Sequence, residues 1–200
     1  MPTGNGMMID TGLQSAPRQV THNFHWVILI VILLGAFLRW ADFGSMKAML
    51  YYDEAYYGAN AVSLIQQPRL TPFFPGNFGR ESGWMYLLNP FIATFGAQPF
   101  ALRLAAGMVG VLTLAAVYAL AKELLGRRGA GWSTAALVIL YWHVHMNHIG
   151  WRANLLTLGG SLAFASLLRA YHLNRFSHWL FTGVLIGLLT YTYFLHVLGS

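Results

Sequence analysis

The sequence predicts an all-α protein: a polytopic transmembrane helix bundle with about five spans and amphipathic interfacial helices in a long first outer loop. Composition points there first, because hydrophobic residues make up 56% of the 200 residues and charged residues only 9%, whereas soluble domains carry about a quarter charged residues. Mean hydropathy of +0.51 agrees. The third observation is placement: the basic residues stand singly or in pairs between apolar runs, as topology markers do. The net charge of +6 is not gathered into an aromatic-interleaved patch, so nucleic acid is not an expected partner. With no cysteine there is no disulfide, thiolate nucleophile or cysteine metal site.

Residues 1–23 are polar and carry Gly4, Gly6, Gly12, Pro2 and Pro17 without apolar periodicity, which predicts a flexible cytoplasmic tail. Residues 24–200 form the membrane part. Its first span runs from Trp26 to Leu38, with Phe24, Trp40 and Arg39 as interface residues, and reaches roughly the 17-residue lower limit for crossing. No small-residue cleavage site follows, so this segment reads as a signal anchor. The apolar run Trp84 to Phe95 is short and carries Asn89-Pro90, so it is expected to be re-entrant or interfacial. Further spans are expected from Phe100 or Leu104 to Leu125, and at about Trp132 to Val144, Leu155 to Leu168 and Trp179 to Leu198.

Orientation follows from the short loops. Lys122, Arg127 and Arg128 fall on the same side as Arg169, Arg175 and the tail with Arg18, which makes that side cytoplasmic. The loop over about 41–101 and the segment Asn147 to Arg152 then face outward.

The outer loop holds the candidate chemistry. Asp53 and Glu54 lie in Tyr51-Tyr52-Asp53-Glu54-Ala55-Tyr56-Tyr57, two of only six acidic residues in the chain. One reading is a general base at the outer mouth of a span, within reach of a lipid-borne and an aqueous substrate. The other is local: Asp53 caps the helix expected over Glu54 to Gln67, closed by Pro68, and Glu54 favours its first turn. That helix is expected to present Tyr57, Ala61, Leu64 and Ile65 on one face. Tyr51, Tyr52, Tyr56 and Tyr57, which flank the acids, suit either a sugar platform or membrane anchoring.

Glu81, in Gly79-Arg80-Glu81-Ser82-Gly83-Trp84, either holds a cation or substrate hydroxyl or forms a surface pair with Arg80. Among His143, His145 and His148, the pair His145/His148 are helical neighbours while His143 points away, so cavity lining competes with metal ligation. Arg152 suits a headgroup anchor or a phosphate clamp, since guanidinium matches phosphate oxygens bidentately.

The order of these features carries a resemblance. It runs from the acidic pair through the Gly79-Arg80-Glu81 turn, Phe95-Gly96, Ala101-Leu102-Arg103-Leu104 and Leu125-Gly126-Arg127-Arg128. It continues through Trp142-His143-Val144-His145, Trp151-Arg152-Ala153-Asn154 and Gly187-Leu188-Leu189-Thr190-Tyr191-Thr192-Tyr193. This resembles the N-terminal part of a GT-C-type membrane glycosyltransferase, of the protein O-mannosyltransferase and aminoarabinose-transferase kind.

The resemblance implies a hexosyl or pentosyl transferase that takes its sugar from a polyprenyl phosphate and passes it to a hydroxyl of a protein, lipid or glycan. Asp53 would be the catalytic base and Glu54 its partner. Arg80, Glu81, Arg152, Tyr56, Tyr57 and His145 would line the substrate site, with a divalent metal ion as a possible cofactor. The expected location is the outer face of the cell membrane, among membrane lipids. The family has about twice as many spans, so this length is expected to be part of a longer enzyme. The competing function is a non-catalytic membrane module, transporter-like or an assembly subunit, for which ionisable groups should sit near the midplane of the spans.

Overall fold

A computed structural model describes residues 19–41, 50–77 and 79–194. The tail up to residue 18 and residues 42–49 of the outer loop lie outside the described residues. Helix α1 spans Gln19–Trp40, so helix begins inside the stretch read as tail. The outer loop holds α2 (Tyr52–Gln66), the two-residue strands β1 (Phe73–Phe74) and β2 (Arg80–Glu81), and α3 (Gly83–Phe95). Then come α4 (Pro99–Ile139), α5 (Tyr141–His148), α6 (Ala153–Leu173), α7 (Phe176–Leu189) and a π-helical turn over Thr190–Phe194. Among the described residues, α4 and α6 are long and apolar enough to cross a membrane, and the apolar stretches 24–40 and 176–192 are shorter.

The long helix α4 is two helices joined by a reversal. Gly126 adopts φ 70° and ψ −179°, a region open essentially to glycine alone. Packing against α1 gives the direction of each half: Trp40 lies on Gly107, Leu114 and Val138 both lie on Gly35, and Phe24 and Ile28 lie on Gly131. Residue numbers therefore fall along α1 in the first half of α4 and rise in the second. Sequence reading separates the same two halves at Leu125, with Gly126 as stop signal. Gly126→Ala is expected to destabilise the bundle by about 1–3 kcal/mol through backbone strain alone, because nothing lies within 4 Å of the added methyl. An unchanged thermal midpoint in detergent would show that the turn relaxes freely.

The bundle continues up and down. Arg169 of α6 meets Glu123 at 2.7 Å, Ser166 meets Thr182 of α7 at 2.7 Å, and the turn after α7 returns to Gly83, which packs on the Tyr191 carbonyl. Lys122, Arg127, Arg128, Arg169 and Arg175 thus collect at one end, and the outer-loop elements, α5 and the start of α6 at the other.

At that second end a core forms between α2, α3 and the start of α4. Tyr57, Ala61 and Leu64 of α2 pack on Trp84, Met85, Leu88 and Ile92 of α3 and on Leu102, Ala105 and Ala106 of α4. Spacings of four and three residues place each set on one helical face. Ile65, expected on the same face, is 40% exposed, because the α2 stripe is narrower than its apolar residues allow. The β-hairpin pairs Phe73 with Glu81 and Phe74 with Arg80. It is tied to α3 by the Tyr86 hydroxyl, which accepts from Thr71 N at 2.8 Å and donates to the Arg69 carbonyl at 3.0 Å.

Candidate active site

The acidic pair occupies the first turn of α2, but neither residue is its N-cap; Tyr51 is. Glu54 shares the buried stripe of Tyr57, Ala61 and Leu64 and is fully buried. A buried carboxylate needs partners, and three converge on it. Its Oε2 accepts from Tyr51 N at 3.0 Å, and its Oε1 accepts from Gly150 N at 2.7 Å and Arg103 Nε at 3.4 Å. Glu54 therefore joins α2, α4 and the segment after α5. Trp84 adds a second tie, donating its indole N–H to the Gly150 carbonyl at 3.0 Å. Gly150 is a glycine because a Cβ there would press Leu102 at 3.2 Å and the Glu54 carboxylate at 3.3 Å.

Asp53, one residue earlier, points differently. Its side chain keeps 36% exposure. Its Oδ1 accepts from Asn77 Nδ2 at 2.8 Å and lies 3.7 Å from an Arg80 guanidinium nitrogen. Successive residues of a strand face opposite sides, and this separates Arg80 from Glu81. Arg80 turns to Asp53, while Glu81, fully buried, is ion-paired with Arg152. The Arg80/Glu81 surface pair, one of the two readings of Glu81, is therefore absent: pleat geometry turns the two side chains apart. Arg152, a candidate phosphate clamp, is 5% exposed and engaged with Glu81.

Among the described residues, each of the three acids at this end thus has an arginine brought from another element. Asp53 meets Arg80, Glu54 meets Arg103 and Glu81 meets Arg152. Asp53 is the one of the three that solvent reaches.

A cavity of about 420 Å³ opens beside it, lined by Tyr51, Tyr52, Asp53, Glu54, His145, Ile149 and Trp151. His145 stands on the cavity wall, stacked on Tyr141 with ring centroids 5.5 Å apart. The four tyrosines that flank the acids divide between core and surface. Tyr57 is fully buried in the core and Tyr56 packs edge-on against it at 6.3 Å, whereas Tyr51 and Tyr52 are 60% and 75% exposed. Burial, and secondarily the Asp53 charge, raise the Tyr57 pKa above its ordinary value, so its hydroxyl stays protonated at neutral pH.

His143 faces away from the cavity to Arg39 of α1, and Asn147 donates to the His143 carbonyl at 2.6 Å. The three histidines do not converge. Among the described residues no group of three His, Cys, Asp or Glu could hold a metal ion.

Sequence reading missed Arg103, Asn77 and Gly150. Arg103 had a signal: an acid on the buried stripe of α2 requires a buried cation, and Arg103 is a lone charge one turn into an apolar run. Asn77 and Gly150 gave none, since their roles depend on a turn geometry and a contact 96 residues away in the chain.

Comparison with known proteins follows the same lines. The family described as dolichyl-phosphate-mannose-protein mannosyltransferase matches residues 83–199, more than half of the chain. No curated protein matches it. Among solved structures, the Archaeoglobus fulgidus oligosaccharyltransferase, crystallised in complex with zinc and sulfate, superposes with a TM-score of 0.68 at 20% identity. The superposition covers 83% of this chain and 25% of that one; the chain spans about a quarter of that enzyme, and at this identity the likeness is one of fold. The family match runs from the start of α3 past the turn after α7, and the chain belongs to the dolichyl-phosphate-mannose-protein mannosyltransferase family of GT-C-type membrane glycosyltransferases.

Proposed function

We propose that the protein moves a sugar from a polyprenyl-phosphate donor to an acceptor hydroxyl of a protein, lipid or glycan at the outer face of the cell membrane, with inversion and with Asp53 as base. The observation that carries this reading is the pairing pattern: Glu54 and Glu81 are fully buried against arginines, and Asp53 alone of the three keeps a solvent-exposed side chain beside the cavity. Both Asp53 contacts use Oδ1, which leaves Oδ2 to accept a proton.

A lipid phosphate is already a good leaving group, so transfer needs a base for the nucleophile and positive charge for the departing oxygen. The acceptor oxygen attacks the anomeric carbon and its proton passes to Asp53. The bond from that carbon to the phosphate oxygen breaks, and the electron pair leaves with the polyprenyl phosphate. One displacement inverts the carbon. Arg80 stands beside Asp53 as the cation for the phosphate, and Tyr51, Tyr52 and Trp151 offer ring faces to the sugar. Glu54 and Glu81 act as positioning residues, and Arg152 holds Glu81. His145 borders the acceptor side. Among the described residues no group of three His, Cys, Asp or Glu is placed to hold a divalent ion.

Five spans and an outward cavity are part of the same proposal. The five basic residues named above gather at the end opposite Asp53, as the positive-inside rule places them for a cytoplasmic end.

The test is release of radiolabelled sugar from polyprenyl-phosphate hexoses by membranes holding the protein. Turnover in the wild type is expected, and its absence with every donor that binds would favour a non-catalytic module. Arg80→Ala is expected to lower kcat/KM by about 10- to 100-fold, the worth of one charge-assisted contact. An Arg80→Ala variant with wild-type kinetics would remove Arg80 from the donor site.

A further inference from the structure

At the end of the bundle opposite the cavity, α1 and the second half of α4 run parallel and leave a groove of about 250 Å³ between them. Its walls are apolar: Phe24, Ile28 and Val31 on one side, Gly131, Trp132 and Ala135 on the other. Gly131 provides the depth, because a Cβ there would come within 3.3 Å of both Ile28 and Phe24. Arg128 is the one charged residue lining it. Parallel packing sets Arg128 beside the Phe24 end, so the charge lies at the mouth and the apolar walls extend inward for about 10 Å, seven residues of helical rise.

The surroundings are those of a lipid-facing surface. Beyond the groove α1 exposes Ile30 at 63%, Leu33 at 58% and Phe37 at 64%. The end is also strongly basic: among the described residues Glu123, the acid there, is engaged with Arg169, and Arg128 has no carboxylate within ion-pair distance.

We propose that this groove is a binding site for an anionic phospholipid, with one acyl chain between α1 and α4 and the headgroup phosphate on Arg128. Charge complementarity at the mouth selects the headgroup, and the open glycine face at residue 131 admits the chain. The site requires only that these helices lie in a bilayer and is independent of the transferase reading.

Native mass spectrometry of the full chain, released from micelles with equal phosphatidylglycerol and phosphatidylcholine, tests it. Phosphatidylglycerol is expected to be retained about fivefold over phosphatidylcholine, the effect of one basic residue at a membrane surface. Arg128→Gln should bring the ratio near one. Arg127→Gln makes the same charge change one residue earlier, at a position outside the groove lining, and should leave the preference intact. Gly131→Leu fills the groove without altering charge and should lower lipid retention overall. Equal losses in Arg127→Gln and Arg128→Gln would reduce the effect to general surface charge and overturn the proposal, as would wild-type retention in Gly131→Leu. Both arginines are exposed, so the decisive pair does not depend on whether the glycine variant folds.

Discussion

Asp53→Asn is expected to lower sugar transfer by about 10²- to 10⁴-fold, the usual contribution of a positioned general base, while donor binding and thermal stability stay near wild type. The substitution keeps the size of the side chain and an oxygen able to accept from Asn77, but the amide cannot take the acceptor proton. Stability should hold because Asp53 is 36% exposed and its ion pair with Arg80 is long, at 3.7 Å; such pairs contribute little. Donor binding should hold because Arg80 then loses a competing carboxylate and remains available to phosphate. The measurement is release of labelled sugar alongside donor retention in the same membranes. Transfer at wild-type rate in Asp53→Asn would sink the assignment of the base.

Glu54→Gln, a change of the neighbouring residue and of the same size, is expected to act on the opposite property. Glu54 is fully buried and joins three elements through Tyr51 N, Gly150 N and Arg103. Neutralising it leaves the buried Arg103 charge without this carboxylate, and breaking a buried ion pair from one side costs about 3–5 kcal/mol. The thermal midpoint in detergent should fall sharply. The double variant Glu54→Gln/Arg103→Met should recover part of the loss, because it removes the buried guanidinium together with the carboxylate it pairs with. A single variant as stable as wild type, or a double variant no better than the single, would mean that the carboxylate is not the anchor of this end of the bundle. Together the two substitutions separate chemistry from architecture within one dipeptide.

Much of this arrangement was legible beforehand. The α2 helix is expected over Glu54 to Gln67 and found over Tyr52–Gln66, since Pro68 and the stripe of Tyr57, Ala61 and Leu64 are local signals. The break at Gly126 is equally local: the turn demands a conformation that glycine supplies and Arg127-Arg128 mark a loop. The order of apolar segments sufficed for the helical class, because lipid-length apolar runs have few alternatives.

Partner choice was not legible in the same way. Arg80 and Glu81 are adjacent in the chain yet pair with different partners, Asp53 and Arg152, because the strand pleat turns them apart, and Arg152 reads as a headgroup anchor or phosphate clamp until Glu81 is packed against it. Tyr56 and Tyr57 are chemically as good a platform as Tyr51 and Tyr52; the rotation of α2, set by what α3 and α4 bury, sends the first two inward and leaves the others on the cavity. Composition, periodicity and glycine or proline placement act over a few residues and so determine class, segment order and the acidic loop from the chain alone. Which carboxylate stays open is decided by contacts 49 to 96 residues apart, because desolvation of an ion depends on everything packed around it and on nothing that its neighbours in sequence reveal.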